Sequence, residues 1–156
     1  MAKSKFEKYV LRDSYKKIFA LESLSAHDKE LNCPIIMACQ PVDAPFVMPP
    51  KTHKHDFTQI MCFMGTNPKD IREFDAEVEL SMGQDGEIVT IDSPSFITIP
   101  PGVYHCPLNF KRIDKPIYFW EIMLTSGEYQ RTYTDGTPGT DYAGELGIKK
   151  SPKKKK

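Results

Sequence analysis

Several features are missing from this sequence, and each absence removes a class of protein. No apolar run approaches the roughly 20 residues that a membrane-spanning helix needs. The opening Met-Ala-Lys-Ser-Lys-Phe-Glu-Lys holds no apolar stretch of the kind a secretory signal requires. The four cysteines, Cys33, Cys39, Cys62 and Cys106, form no Cys-x-x-Cys pair, which argues against a thiolate zinc site. These absences lead to the expectation of a cytoplasmic protein with reduced thiols and no membrane contact. No proline precedes Pro34, although the chain holds 13. No acid follows Ile148, where six of the 21 basic residues gather.

The charge distribution excludes another class. Basic and acidic residues balance at 21 each, but unevenly along the chain. Residues 1–17 carry six basic and two acidic groups, a net of +4. Residues 18–148 carry nine basic and nineteen acidic groups, a net of −10. A nucleic-acid-binding face needs a basic surface to meet phosphates, so no nucleic-acid partner is expected of an acidic body. The terminal Ser151-Pro152 and its lysines read as a disordered, solvated tail. A chain of 156 residues with 40% apolar content suits one globular domain.

The proline-free segment is where a helix could run. Residues 6–24 place Phe6, Tyr9, Val10, Ile18, Phe19 and Leu21 at loosely helical spacing, so a short helix or an extended arm packed on a neighbour is expected there. Ser25 and Asp28 mark a turn. From residue 34 onward the pattern becomes one of short β-branched and aromatic runs, at 35–39, 57–64, 76–82, 88–91, 96–99, 106–110 and 117–124. Gly65-Thr66-Asn67-Pro68, Gly83-Gln84-Asp85-Gly86, Asp92-Ser93-Pro94 and Asp114-Lys115-Pro116 separate them. Many short strands at near-even spacing predict an all-β antiparallel sandwich or barrel. The expected organisation is an arm over 1–33, a barrel over 34–130 and an extension over 131–156.

Only four histidines are present, and two stand as His53-Lys54-His55. Alternate residues of a strand share a face, so His53, His55, Phe57 and Gln59 would point one way. On its own such a pair is an ordinary solvent-facing one. A second element changes that reading: Pro100-Pro101-Gly102-Val103-Tyr104 is a tight turn that delivers His105 to the start of a strand. Three neutral imidazoles from two strands can hold a first-row metal and leave positions open.

These two elements resemble the paired motifs of the cupin superfamily. The first motif runs Gly-x5-His-x-His-x3,4-Glu-x6-Gly, and the chain has His53, His55, Gln59 and Gly65. The second runs Gly-x5-Pro-x-Gly-x2-His-x3-Asn, and Pro100, Gly102, His105 and Asn109 match its spacing. Val47 and Pro94 replace the leading glycines, Gly65 comes one residue early, and Gln59 replaces the family's metal-binding glutamate. The resemblance covers about residues 34–125. It implies a jelly-roll β-barrel, a homodimer, and one divalent transition metal (Fe, Mn, Ni or Zn) on His53, His55, His105 and Gln59. With Gln59 the first shell lacks a carboxylate, so a bound ion keeps its full charge.

Candidate proton-transfer groups are Glu121 and Tyr104, then Glu77, Glu79 and Arg72. Glu121 is a lone acid in the apolar run Ile117-Tyr118-Phe119-Trp120-Glu121-Ile122-Met123-Leu124. Cys106 is expected to face away from His105 and pack, and His27 to lie at the surface. Asn109 is expected to fix its turn, while Met61, Phe63, Phe119 and Trp120 fill the barrel. Two functions remain open. One is an enzyme using a mononuclear metal as Lewis acid on a small anionic oxygenated substrate (a keto acid, uronate or enediol), either isomerase- or lyase-like or dioxygenase-like. The other is a cupin that captures or senses a small ligand without chemistry.

Overall fold

A computed structural model describes residues 5–18, 21–48, 51–126 and 129–139. The lysine-rich tail lies outside them. The strands are β1 (Tyr15–Ile18), β2 (Leu21–Ala26), β3 (Ile36–Val42), β4 (Phe46–Met48), β5 (His53–Lys54), β6 (Gln59–Gly65) and β7 (Ala76–Met82). They continue as β8 (Glu87–Ile91), β9 (Ser95–Ile99), β10 (His105–Ile113), β11 (Ile117–Met123), β12 (Arg131–Tyr133) and β13 (Pro138–Gly139). One helical turn, α1 (Asp28–Leu31), joins β2 to β3. No helix of the described residues is long and apolar enough to cross a membrane.

Two antiparallel sheets face each other. The first runs β1-β2-β3-β11-β6-β9 and the second β13-β12-β5-β10-β7-β8, with β4 also paired to β10. The alternation that suggested strands is the alternation of burial. In β7, Ala76, Val78 and Leu80 point inward while Glu77 and Glu79 point out. Phe119 of β11 stacks on its cross-strand partner Phe63 of β6, with centroids 5.0 Å apart. Phe110 of the opposite sheet meets Phe119 edge-on at 5.6 Å, so side chains from both sheets interlock.

Four expectations change here. The segment over 6–24 holds one 3₁₀ turn (Glu7–Tyr9) and then the β1–β2 hairpin, not a helix. Strand β2 pairs with β3, so this segment extends the first sheet. Its serines Ser23 and Ser25 point in and Leu24 points out, an inversion of the usual pattern. Trp120 is on the outer face of β11 because its neighbours Phe119 and Glu121 point inward. His53 and Gln59 do not share a strand: β5 belongs to the second sheet and β6 to the first, and residues 55–58 cross between them. Cys106 does not face away from His105. It adopts φ +73° at a register shift in β10, which breaks the alternation.

Gly65 ends β6 where no side chain fits. A Cβ there would sit 2.1 Å from the carbonyl oxygen of Glu73.

Candidate metal centre

Three histidines converge inside the barrel from different places in the chain. His53 and His105 are cross-strand partners in β5 and β10, and His55 follows β5. All three are buried, at 1%, 0% and 5% exposure. Their rings pack at centroid distances of 4.7 Å (His53–His55), 4.6 Å (His53–His105) and 5.1 Å (His55–His105).

The backbone settles which nitrogen of each ring carries the proton. The Nδ1 of His53 lies 2.9 Å from the Lys51 carbonyl oxygen, that of His55 2.7 Å from Gln130 O, and that of His105 3.1 Å from Val103 O. A carbonyl only accepts, so each Nδ1–H donates. Burial lowers all three imidazoles, His53 to about 3 and His55 to about 4, so each ring is neutral at pH 7. Each Nε2 therefore presents a bare lone pair to the barrel interior.

Two contacts then lack a proton. His53 Nε2 lies 3.2 Å from His55 Nε2. His105 Nε2 lies 3.1 Å from Gln59 Oε1. The orientation of Gln59 follows from its other end, where Nε2 donates to Glu121 Oε1 at 3.4 Å. The Tyr129 hydroxyl stands 3.3 Å from His55 Nε2 and 3.5 Å from His53 Nε2, and one O–H can serve only one of them. A cation is what brings such acceptors together, and nitrogen plus amide oxygen suits a borderline divalent ion. The donor set thus fits a metal.

A second set overlaps the first. His53, His105 and Cys106 each bring one ligand atom within 4.8 Å of the others. In the metal-free protein burial pushes the Cys106 thiol up to about 12.

Glu121 stands directly behind Gln59. It points inward from the centre of β11 and is 8% exposed. Gln40 Nε2 of β3 donates to its Oε2 at 3.1 Å. Burial raises this carboxyl to about 7, against the pull of the Gln40 hydrogen bond. The carboxylate that the motif lacks at position 59 is therefore present one hydrogen bond further out. Arg131 of β12 is 3% exposed, with its guanidinium 5.6 Å from the ring centroids of Tyr129 and Tyr133. Its charge helps keep His53 and His55 unprotonated.

The remaining candidates fall elsewhere. The Tyr104 ring lies under Lys54 Nζ at 4.9 Å, and the Tyr129 hydroxyl reaches His55 Nε2 at 3.3 Å. Glu77 and Glu79 pair with Lys111 outside the barrel at 2.8 and 2.7 Å, and Arg72 is exposed. Asn109 donates to Glu79 at 3.3 Å. His27 is exposed, caps α1, and sits on the rim of a cavity of ≈ 210 Å³ that Glu121 and Tyr129 also line. Gln40 and Tyr129 went unnoticed in the sequence. Gln40 shares the inward parity of Ile36, Ala38 and Val42, a readable signal. Tyr129 sits between strands, where no pattern marks it.

No family model and no curated protein sequence matches this chain. Solved structures do. Vicilin from hazelnut (Corylus avellana) aligns with a TM-score of 0.55 at 10% identity, over 81% of this chain and 36% of its own. The chain thus spans about a third of that protein (36%). The polyketide cyclase RemF from Streptomyces resistomycificus gives 0.52 at 11% identity, over 92% of this chain and 91% of its own. A sugar phosphate isomerase of the cupin superfamily from Silicibacter pomeroyi gives 0.51 at 11% identity, over 73% and 65%. At such identities the likeness is one of fold.

Proposed function

The chain has the cupin fold, and from that premise we propose that it is a metal-dependent enzyme acting on a small oxygenated molecule. The ion is a single divalent transition metal, Fe, Mn, Ni or Zn, held by His53, His55 and His105 with Gln59. One observation carries this reading: two buried acceptor pairs, at 3.2 Å and 3.1 Å, have no proton between them. When bound, such an ion supplies Lewis-acid polarisation of a substrate oxygen.

The chain's own residues supply the rest. The three Nδ1–H···O=C bonds lock the imidazoles so that each Nε2 faces the centre. Glu121 holds the Gln59 amide with its oxygen toward His105. Glu121 also lines the cavity, and a carboxyl near 7 can both take and return a proton at neutral pH. Tyr129 presents an O–H beside the same histidines. A carboxyl and a hydroxyl at one cavity suit proton transfer next to a carbonyl, the step shared by isomerases and lyases, and an ion on the histidines would supply the polarisation.

Incubation of the metal-loaded protein with small carbonyl compounds in D₂O tests this. The wild type should place solvent deuterium next to the carbonyl. Glu121→Gln should keep its metal and lose about 10²-fold or more of that rate. A metal-loaded wild type that exchanges no member of the panel would contradict the enzyme reading. Ligand capture without turnover would then stand, a reading favoured by one fact: both Glu121 oxygens already accept amide hydrogen bonds.

A further inference from the structure

The cavity beside the centre has a chemical character of its own. It lies where residues of β1, β2, β3 and β11 of the first sheet meet. Ile18, Ile36, Ala38 and Met123 supply an apolar wall, and Ser25 and His27 also line the cavity. Glu121 and Tyr129, the two lining residues that also reach the metal-centre residues, mark its reactive end. A ligand hydroxyl set against the aliphatic wall would lose its water partners and gain none. A ligand hydrocarbon there would only shed water.

Charge points the same way. Lys16 and Lys17 both line the cavity, and Lys16 Nζ is 3.1 Å from Glu30 in a pair open to solvent. Lys17 is exposed to water. The lysines of the cavity thus stand in contact with water rather than sealed against its apolar wall. Size adds a bound: an apolar cavity of about 150 Å³ accepts benzene, and this one is ≈ 210 Å³. One ring with a short substituent fits within it.

We propose that the cavity selects a largely apolar molecule, one ring or a hydrocarbon of similar bulk, whose single oxygen function meets Glu121 and Tyr129. Aryl ketones and phenols are of this class; sugar acids, polyols and dicarboxylates are not. This departs from the anionic substrates expected from the sequence, and it rests on the cavity serving the centre proposed above.

Isothermal titration of the full chain tests it, with acetophenone and phenol against galacturonate and oxalate. Metal-loaded and metal-stripped protein are both titrated. Acetophenone or phenol should bind one to one, and about tenfold or more tighter than either polar anion in the stripped protein. Ala38→Leu and Met123→Phe, which enlarge wall residues, should each weaken ring binding by about tenfold or more. Two variants are used so that one misfolded protein does not end the test. Tighter binding of galacturonate or oxalate to the stripped protein would overturn the proposal. So would ring binding unchanged in both folded variants, or no saturable ring binding up to about 10 mM. Failure of the metal reading is a separate result: the chain would hold no ion, yet the stripped protein would still bind rings in a way sensitive to residues 38 and 123.

Discussion

Three buried neutral imidazoles make the metal-stripped protein acid-sensitive by an amount the structure sets. Burial holds His53 at about 3 and His55 at about 4, against an ordinary 6.5. Unfolding removes that burial. Between pH 6 and pH 5 the unfolded chain therefore binds protons that the folded chain refuses, and stability falls as the pH falls. Each of these two residues contributes about 1 kcal/mol of loss over that interval, about 2 kcal/mol together. His105, also lowered by burial, acts in the same direction. Glu121 opposes them. Burial raises it to about 7 from 4.5, so the folded chain gains a proton there before the unfolded one does. That uptake returns about 1 kcal/mol over the same interval. Urea unfolding of chelator-treated protein at pH 6 and pH 5 reads the difference. Variants isolate each contribution from the other carboxylates and histidines. Glu121→Gln should steepen the loss by about 1 kcal/mol, and His55→Asn should reduce it by about 1 kcal/mol. Identical losses in the wild type and both variants would refute the claim that these groups are buried and neutral.

Two other expectations concern the barrel and its thiol. Gly65→Ala places a Cβ against the Glu73 carbonyl oxygen, at 2.1 Å before relaxation. It should cost about 1–3 kcal/mol in urea unfolding, and a cost near zero would show that the 65–73 crossing is looser than described. With His53, His55, His105 and Gln59 as the donor set, Cys106 should stay outside it when metal is bound. The Co(II) form should show no thiolate charge-transfer absorption in the near ultraviolet, and Cys106→Ser should keep one ion per chain. A band in the wild type that is lost in Cys106→Ser would move Cys106 into the ligand set.

The barrel was legible in the sequence wherever burial follows hydrophobicity. Strands β7 and β11 alternate cleanly, and Gly, Pro and Asp mark their ends. The predicted runs 76–82 and 117–124 accordingly fall on Ala76–Met82 and Ile117–Met123. The N-terminal hairpin was hidden because β2 turns serines inward and Leu24 outward, so composition misreports its faces. The histidines announced themselves through spacing, but their convergence does not come from a shared strand. It comes from a chain segment that changes sheets between His53 and Gln59, which periodicity cannot express. Glu121 stood out as an acid in an apolar run. Its partners Gln40 and Gln59 are distant in sequence and meet it only through the β3–β11–β6 register. Cys106 was misplaced because a positive φ at a cysteine leaves no trace in residue type.

In the proposed centre the lone pairs of His53, His55, His105 and Gln59 converge on an ion. Elemental analysis of protein purified without added metal addresses it directly, with His105→Ala and the rim variant His27→Ala in parallel. Close to one divalent transition metal per chain is expected in the wild type and in His27→Ala, and almost none in His105→Ala. Equal metal content in all three proteins, or a wild type that stays empty and gains no thermal stability from any of the four ions, would contradict it.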